Sequence, residues 1–425
     1  MTLLCDRPLN IVLIHASDQG GGAERSVLSL HRGLQSIGHY SNLFVGLKKN
    51  DNPNVTEIPY RRGLPGARRV ARSIEKKLGW QDIYNPSFRN LVNLIPKNTD
   101  IVHFHSLWGA GGFADLGAIP AITKRCPGVI TMRDTWLLTG HCAYFHKCER
   151  WKFGCGQCPD LKLAPSIPKD GTSFNWGRKK IIVSRSSLHV VAISDYLAKL
   201  AKLSPILANK PITRIYNGID LNIFEPVSSE EKIFLRKKLS IPKNALTILL
   251  AGQTVEGIKE GIATHYAVEA LNRLPKNSIV PIIVGYSASK VSEQIIHSSV
   301  VLPFQYTQED MATCYQASDL CLVTSEVEAF GRIGAEAQAC GIPVVAFDSW
   351  AIPEVVKNNV GGLIVPFGDV EDLAASIQSL AINSERRSEM AINGHLYVKN
   401  LFDQEKVAGE YVKLYRKILS GAQNI

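Results

Sequence analysis

Short apolar runs alternate with longer segments of helical periodicity along the whole chain. The runs are rich in Val, Ile and Leu, as buried strands are. The predicted strands are Ile11–Ala16, Asn42–Leu47, Asp100–His105, Gly128–Met132, His189–Ser194, Thr213–Asn217, Leu246–Gly252, Ile279–Gly285, Val300–Phe304, Leu320–Thr324, Pro343–Phe347 and Gly362–Pro366. Strands that alternate with crossover helices predict an α/β fold with parallel sheets covered on both faces.

The alternation occurs in both halves of the chain, which predicts two domains. At 425 residues the chain is long enough for two separate cores. The break falls near 217–220, so we predict a first domain over 1–222 and a second over 223–404. A last helical segment, 405–425, follows without a further strand.

Composition bounds the class of protein. With 45% hydrophobic and 20% charged residues, the chain has the composition of a globular protein. No apolar run approaches the roughly 20 residues that span a bilayer, and Asp6 and Arg7 interrupt any amino-terminal signal sequence, so we expect a cytoplasmic protein. The net charge of +10 favours anionic partners such as nucleotide diphosphates, lipid headgroups or nucleic acid.

Two carboxylates flank a predicted strand-to-helix turn. Glu328 follows the strand Leu320–Thr324, at the edge where open α/β sheets bind ligands. Glu336 lies about one turn into the next helix, which begins near Phe330 and Gly331. The unpaired N–H groups and the dipole of such a helix suit a diphosphate. Taken singly, each acid is also compatible with a solvated loop residue or a partner of the helix dipole.

The whole string EAFGRIGAEAQACGIPVV, residues 328–345, resembles the E-x7-E signature of family-4 retaining glycosyltransferases. The resemblance implies that Glu328 contacts the donor sugar and that Glu336 contacts the ribose of the nucleotide. It extends over nearly the whole chain and implies the GT-B fold, with two facing Rossmann-like domains and a carboxyl-terminal helix that crosses back to the first. The first domain is then the acceptor side, and the second binds the nucleotide sugar.

A glycine-rich loop, Gln19–Glu24, joins the first strand to a helix predicted from Arg25 to Ile37. Glycines allow a ligand to approach the backbone closely and leave helix N–H groups accessible to an anion. The loop lacks the G-x-G-x-x-G pattern of dinucleotide sites, and alone it is also compatible with an ordinary tight turn. The family resemblance implies that Gly21 and Gly22 lie against the donor phosphates and the acceptor.

Two histidines alternate along the predicted strand Asp100–His105, so His103 and His105 point to the same face. Such a pair is compatible with zinc binding and, more often, with structural hydrogen bonds. His105 is nearer the carboxyl end of the strand, where ligands bind. The string resembles the H-x-H of family 4, which implies an active-site role for His105 and a supporting role for His103.

The loop after Leu246–Gly252 departs from the family pattern, in which an arginine and a following lysine clamp the diphosphate. Here Gln253 stands at the arginine position, and Lys259 is the remaining candidate clamp. A glutamine donates hydrogen bonds but supplies no charge. We expect Arg332, beside Gly331, to compensate for the missing cation.

Four of the nine cysteines lie within 140–160, a segment without helical or strand periodicity. Cys142, Cys148, Cys155 and Cys158 form the pattern C-x5-C-x6-C-x2-C, whose last pair is typical of tetrahedral thiolate sites. We expect a structural zinc ion. An iron–sulfur cluster and two disulfides are the alternatives, which the spacing and a reducing cytoplasm disfavour. The insert also resembles that of a family-4 subgroup that builds bacterial exopolysaccharides and surface glycans.

Residues 61–78 predict a basic helix from about Gly66. Val70, Ile74 and Leu78 share one face, and arginines and lysines cover the remainder. One interpretation is that the apolar face packs on the sheet. The other is contact with an anionic membrane surface, where a lipid-linked acceptor would be found.

Together these features predict a retaining glycosyltransferase that moves a sugar from a nucleotide-sugar donor to a glycan or lipid-linked acceptor in polysaccharide biosynthesis, with Glu328 and His105 as catalytic candidates. We expect no cofactor in the chemistry, and the sequence contains no Asp-x-Asp motif for a metal-bound diphosphate. A nucleotide-sugar epimerase on the same scaffold is one alternative. A zinc-ribbon protein that binds nucleic acid is a more distant one, because it leaves 328–336 unexplained, and we expect no nucleic-acid partner.

Overall fold

The computed structural model describes residues 7–58, 65–110, 112–252 and 264–422. The chain divides into two compact units, the first made of Met1–Gly218 with Glu405–Ile425 and the second of Ile219–Gln404. Each unit is built around one parallel sheet, which confirms the predicted fold class. Within the described ranges, no helix has both the length and the apolar character needed to cross a bilayer.

The first unit contains a seven-stranded sheet. Its strands are β1 (Asn10–Ser17), β2 (Tyr40–Leu47), β3 (Val55–Glu57), β4 (Ile101–Phe104), β5 (Gly128–Met132), β6 (Leu188–Ala192) and β7 (Ile212–Arg214). They run parallel in the order β3-β2-β1-β4-β5-β6-β7. The helices between them are α1 (Gly22–Ser36), α2 (Pro65–Leu78), α3 (Pro86–Arg89), α4 (Leu91–Leu94), α5 (Ile119–Arg125), α6 (Thr172–Ser184) and α7 (Asp195–Leu203).

The second unit contains a six-stranded sheet. Its helices are α8 (Ser229–Lys238), α9 (Thr264–Asn272), α10 (Ala288–Ser292), α11 (Gln308–Gln316), α12 (Arg332–Ala339), α13 (Ile352–Val355), α14 (Val370–Ile382) and α15 (Ser384–Leu401). Its strands are β8 (Thr247–Ala251), β9 (Val280–Val284), β10 (Val300–Leu302), β11 (Leu320–Val323), β12 (Val344–Asp348) and β13 (Gly362–Pro366). All pairs are parallel in the order β10-β9-β8-β11-β12-β13. The central strands β8 and β11 are buried throughout, as expected for strands that helices cover on both faces.

The last helix, α16 (Gln404–Ala422), packs on the first unit. Its residues Tyr411 and Tyr415 belong to the same buried cluster as Ile11 and Leu13 of β1. The first unit therefore takes its core from both ends of the chain.

Each sheet has one position where the strand order reverses. This switch point lies between β1 and β4 in the first sheet and between β8 and β11 in the second. Because the connections leave such a point toward opposite faces, a crevice opens at the carboxyl ends of the two strands, and ligands of open α/β sheets bind there.

Candidate active site

The loop after β11 brings Glu328 to the switch point of the second sheet. The Glu328 side chain is half-buried, whereas the following Ala329 and Phe330 are buried. The Glu328 carbonyl accepts a hydrogen bond from the N–H of Ala351 at 3.2 Å. The Phe330 ring meets Phe402 edge-on, with 5.3 Å between ring centroids. The loop backbone is therefore held in place while the Glu328 carboxylate keeps access to solvent.

Gly331 begins helix α12 in a conformation that favours glycine. Its φ of +95° lies in the left-handed region, which side chains with a Cβ rarely adopt. A Cβ at this position would meet the Ile352 side chain only at 3.8 Å, so the backbone angle, and not a lack of space, requires glycine. Gly331 is the N-cap residue of α12, and helix N-termini attract anions. That Phe330 and Gly331 contact the diphosphate stays a prediction, and the start of helix α12 at Gly331 is compatible with it.

Glu336 and Arg332 form a buried ion pair within α12. Arg332 Nε donates to Glu336 Oε1 at 2.5 Å, and the Tyr315 hydroxyl donates to Glu336 Oε2 at 3.1 Å. The side chains of Arg332 and Glu336 are only 9% and 3% exposed. The carboxylate predicted to bind the ribose and the guanidinium predicted to replace a clamp cation thus contact each other. An ionised carboxylate has about four lone-pair sites, so these two bonds leave acceptor capacity for a further hydroxyl.

The predicted diphosphate clamp follows β8. Gln253 and Lys259 both belong to 253–263, which lie outside the described residues, so their roles stay predictions. β8 pairs directly with β11, and the chain therefore enters this segment at the same sheet edge from which the Glu328 loop leaves.

An aromatic group at the carboxyl ends of β9 and β10 was not predicted from the sequence. Tyr286 and Phe304 stack with their centroids 4.6 Å apart, and Tyr306 meets Phe304 edge-on at 5.0 Å. The Tyr286 hydroxyl donates to the Tyr306 hydroxyl at 3.2 Å, and the two tyrosines are 54% and 59% exposed. Exposed rings of this kind can stack on a nucleobase. Aromatic residues directly after two predicted strands were the signal that could have identified them.

A buried polar group stands at the switch point of the first sheet. His15 lies in β1, and His105 follows β4, with 6.2 Å between their ring centroids. Arg133 Nη2 lies 3.2 Å from His105 Nδ1, and Arg133 Nη1 donates to the side-chain oxygen of Asn217 at 2.7 Å. Neither Arg133 nor Asn217 was predicted. Arg133 directly follows the predicted strand Gly128–Met132, which is the signal that could have identified it.

His103 shares a face with His105, as the strand alternation predicts, and their ring centroids are 4.1 Å apart. His103 Nδ1 lies 2.7 Å from the Tyr415 hydroxyl of α16, and His103 Nε2 lies 2.7 Å from Thr131 Oγ1. Both ring nitrogens are thus engaged by protein side chains, which is the arrangement of a structural histidine and not of a zinc ligand. His103 connects α16 to the sheet directly beside His105.

Burial keeps these histidines neutral. It lowers the pKa of His105 well below the ordinary value, and repulsion between charged His105 and its neighbours His103 and Arg133 lowers this pKa further. It also lowers the pKa of His15 to about 3. Because an arginine N–H can only donate, His105 Nδ1 accepts, and the ring proton is assigned to Nε2. In the described part of the chain, His105 Nε2 is buried without a hydrogen-bond partner. His105 therefore offers one directed N–H donor to a ligand.

His105 and Arg133 line a small cavity together with Trp108, Asp134 and Trp136. Asp134 Oδ2 accepts from Trp108 Nε1 at 2.8 Å, and Asp134 Oδ1 accepts from the backbone N–H of Trp136 at 2.8 Å. One buried carboxylate thus fixes both tryptophans. An N–H donor and two aromatic side chains thus line the same small cavity.

The glycine loop opens helix α1 at the same edge of the first sheet. The helix begins at Gly22, with Gly21 at the N-cap position, so it starts earlier than the predicted Arg25. Gly21 is half-buried and Gly22 is exposed. Their contact with donor phosphates stays a prediction.

The four cysteines of 140–160 come together in the structure, because all of them line one small cavity. All four thiols are free. In the described ranges, however, no three His, Cys, Asp or Glu side chains are grouped as they would be in a formed metal site. The zinc prediction therefore rests on the shared cavity of Cys142, Cys148, Cys155 and Cys158.

The basic helix of 61–78 is present as α2, while 61–64 lie outside the described residues. The interpretation that its apolar stripe packs on the sheet is wrong, because Val70 and Ile74 are 60% and 38% exposed. The buried face instead carries Ala71 and Glu75. Glu75 Oε1 accepts from the backbone N–H of Ile83 at 3.0 Å, and this bond turns the carboxylate inward and the stripe outward.

Comparison with known families accounts for most of the chain. Residues 20–223 match the family described as Glycosyltransferase Family 4. Residues 231–396 match the family described as Glycosyl transferases group 1. The two matches correspond closely to the two structural units.

Several of the curated relatives carry a glycosyltransferase name. The chain is 28% identical over 242 residues to a D-inositol 3-phosphate glycosyltransferase of Saccharomonospora viridis, covering 53% of this chain and 54% of the relative. It is 23% identical to an uncharacterized 41.2 kDa protein in the cps region of Klebsiella pneumoniae, covering 75% of this chain and 78% of that protein. The chain thus spans about half the length of the D-inositol 3-phosphate glycosyltransferases that it matches.

Solved structures share the fold over almost the whole chain. Anabaena Alr3699/HepE in complex with UDP and glucose superposes with a TM-score of 0.67 at 18% identity, covering 96% of this chain and 99% of that protein. WaaG, a glycosyltransferase involved in lipopolysaccharide biosynthesis, superposes with a TM-score of 0.64 at 15% identity, covering 94% and 98%. The chain therefore has the GT-B fold, and its two units match the family models described as Glycosyltransferase Family 4 and Glycosyl transferases group 1.

Proposed function

We propose that the chain transfers a sugar from a nucleotide-sugar donor to a glycan or lipid-linked acceptor, with retention of the anomeric configuration, as a step of polysaccharide biosynthesis. The observation that carries the proposal is the half-buried Glu328 carboxylate at the switch point of the second sheet. The complex of Alr3699/HepE with UDP and glucose supports a nucleotide-sugar donor. The cps-region relative and the lipopolysaccharide enzyme WaaG support a role in surface polysaccharides.

On the donor side, each predicted residue has a distinct task. Glu328 accepts hydrogen bonds from the hydroxyls of the donor sugar, and Glu336 accepts one from the ribose through the lone pairs that Arg332 and Tyr315 leave. The start of helix α12, at Phe330 and Gly331, receives the diphosphate. Gln253 and Lys259 hold the phosphates. Gly21 and Gly22 contribute to the same contact. The exposed rings of Tyr286 and Tyr306, together with the half-buried ring of Phe304, receive the base.

The acceptor side lies in the first unit. His105 donates a hydrogen bond from Nε2–H to a hydroxyl of the reacting sugar or the acceptor. Arg133 fixes the tautomer that carries the proton on Nε2. Because His105 stays neutral, it acts as a hydrogen-bond donor and not as a cation. Trp108 and Trp136 supply the apolar surface of the same cavity.

The reaction needs charge stabilisation more than acid–base chemistry. As the bond between the anomeric carbon and the diphosphate oxygen breaks, negative charge develops on the diphosphate, and the acceptor oxygen bonds to the same carbon. The acceptor hydroxyl proton passes to the departing phosphate oxygen. Donors that are already oriented toward that charge contribute most to such a step.

The outward face of α2 supports a membrane-peripheral location. Val70 and Ile74 are exposed, and the flanking Arg69, Lys76 and Lys77 are exposed as well. A face of this composition suits an anionic lipid surface at the cytoplasmic side, where lipid-linked acceptors occur. Vesicles with anionic lipid should sediment the wild-type protein, and Val70→Ser with Ile74→Ser should weaken this. Equal sedimentation with neutral vesicles would contradict the lipid assignment.

A screen of nucleotide sugars tests the central proposal. The correct donor should stabilise the protein by about 2.7 kcal/mol at a hundredfold excess over its dissociation constant and should be hydrolysed slowly without acceptor. Glu328→Ala should lower turnover more than nucleotide affinity, because its partner is the sugar. The anomeric proton of the product, observed by NMR, should report the same configuration as in the donor.

Two outcomes would contradict the proposal. Inversion at the anomeric carbon would refute retention. Release of an altered free nucleotide sugar, with no acceptor present, would identify the epimerase alternative, which the matched glycosyltransferase families do not favour.

A further inference from the structure

The cysteine-rich segment between β5 and α6 has an unusual backbone. Residues 154–157 have positive φ angles in succession, including +58° at Cys155 and +47° at Gln157. Residues other than glycine rarely adopt this region, and they keep it only where their surroundings impose it. The turn places Cys155 and Cys158 on the same cavity. A segment of this kind needs a local constraint to hold its shape.

Polar groups converge on the sulfur atoms. The backbone N–H of Gly140 donates to Cys155 Sγ at 3.2 Å, and His141 Nε2 lies 3.3 Å from Cys158 Sγ. An N–H that donates to sulfur favours the thiolate over the thiol, and metal-bound thiolates accept such bonds from their second shell. The stacked rings of Phe145 and Trp151, 5.2 Å apart, shield one side of the cavity.

We propose that Cys142, Cys148, Cys155 and Cys158 bind one zinc ion, and that this ion fixes the wall of the cavity that contains His105. The four residue types, their number and the closing C-x2-C turn are those of a structural zinc site. With four protein thiolates the ion has no open position for substrate, so its role is to hold the segment.

Binding requires the thiols to close on the ion. In the described residues the four sulfurs share a cavity without forming a ligand group, so rotation of their side chains must accompany binding. Each thiol releases its proton when it becomes a ligand, and the binding free energy then becomes folding free energy of the segment. Lys179 is buried and bonded to Thr139 of the same segment, where a positive charge would offset part of the charge of the thiolates.

The same lysine links the cysteines to the His105 cavity. Lys179 Nζ donates to the carbonyl of Trp136 at 2.6 Å and to the carbonyl of Thr139 at 3.0 Å. Thr139 Oγ1 in turn donates to the carbonyl of Cys142 at 2.6 Å. Trp136 lines the cavity of His105, so a constraint at Cys142 reaches the cavity wall through only two hydrogen-bonded residues.

Metal analysis tests the site without reference to activity. Protein purified without chelator should contain about one zinc per chain by elemental analysis, and cobalt should replace it with the absorption of a tetrahedral thiolate complex. Cys155→Ser should lose most of the zinc. Cys126→Ser, a change at a buried free cysteine of the same unit, is the matched control and should keep it.

Hydrogen exchange tests the link to the cavity. Removal of zinc from the wild-type protein should raise amide exchange in peptides over 134–158, while a peptide over β12 in the second unit should stay unchanged. This readout is independent of the proposed transferase activity, since it needs neither donor nor acceptor. Failure of the donor screen would therefore leave it standing.

Three results would overturn the inference. Metal-free wild-type protein with four reactive thiols would refute the site. A mass lower than that of the reduced chain by two or four hydrogen atoms would identify one or two disulfides instead. Equal zinc content in Cys155→Ser and Cys126→Ser would assign the ion elsewhere. Unchanged exchange over 134–140 after zinc removal would refute the link to His105.

Discussion

Replacement of Glu336 by glutamine separates the two roles of the buried carboxylate in α12. Glu336→Gln keeps the size of the side chain and one acceptor oxygen but removes the negative charge opposite Arg332, whose Nε lies 2.5 Å away. Both side chains are less than one tenth exposed, so solvent screens the loss only weakly. A hydrogen bond to a charged group contributes about 1.5–3 kcal/mol, and we expect the unfolding free energy of the second unit to fall by about that amount.

A ribose contact adds a second, separable effect. If Glu336 also accepts a hydrogen bond from the ribose, its replacement should weaken nucleotide binding by about 1.5–3 kcal/mol, or roughly 10- to 150-fold. Tyr315→Phe is the matched control, because it removes the 3.1 Å bond to the other carboxylate oxygen and leaves the charge. It should cost about 1 kcal/mol of stability and leave nucleotide affinity nearly unchanged.

Urea denaturation and calorimetric titration with nucleoside diphosphate measure the two effects. A double-mutant cycle of Arg332→Gln and Glu336→Gln should give a coupling energy within the range of about 0.5–3 kcal/mol that contacting residues show. Unchanged affinity in Glu336→Gln, together with the expected loss of stability, would refute the ribose role and leave the ion pair. Unchanged stability would refute the ion pair itself.

Two further predictions concern pH and the phosphate clamp. Burial lowers the pKa of His15 to about 3 and that of His31 to about 4. Below pH 6.5 the unfolded chain therefore takes up protons that the folded unit does not. Each histidine should then lower the free energy of unfolding by up to about 2 kcal/mol at pH 5. The urea midpoint of the first unit should fall between pH 6.5 and 5, and His31→Gln should reduce this fall; a flat profile would contradict the buried neutral state. Lys259→Ala should weaken nucleoside-diphosphate binding and Gln253→Arg should tighten it, whereas equal affinities in calorimetry would remove this loop from the site.

The strand pattern of the sequence predicts the two sheets almost completely, because parallel strands covered on both faces appear as continuous apolar runs. The exception is β3 (Val55–Glu57), which is an edge strand of three residues with only Val55 buried. A run this short leaves no periodicity to detect. The predicted strand Leu320–Thr324 and the observed β11 differ by a single residue, so the position of Glu328 at the sheet edge follows from sequence alone.

The surroundings of the site residues could not be predicted in the same way. Arg332 and Glu336 are spaced four apart on one helix, so their ion pair was available from the sequence. The burial of this ion pair could not be predicted, because it depends on a contact with Tyr315 of α11, a distant part of the chain. Likewise, Arg133 reaches His105 only because β4 and β5 are neighbours in the sheet, which neither segment encodes separately.

Helix α2 shows why periodicity identifies a helix more securely than its buried face. Its apolar stripe contains Val70 and Ile74, and burial of both would remove more hydrocarbon from water than burial of Ala71 does. The structure nevertheless buries Ala71 with Glu75, whose carboxylate accepts from the N–H of Ile83 in the turn after the helix. This orientation makes the hydrogen bond to Ile83 and leaves Val70 and Ile74 exposed at the surface.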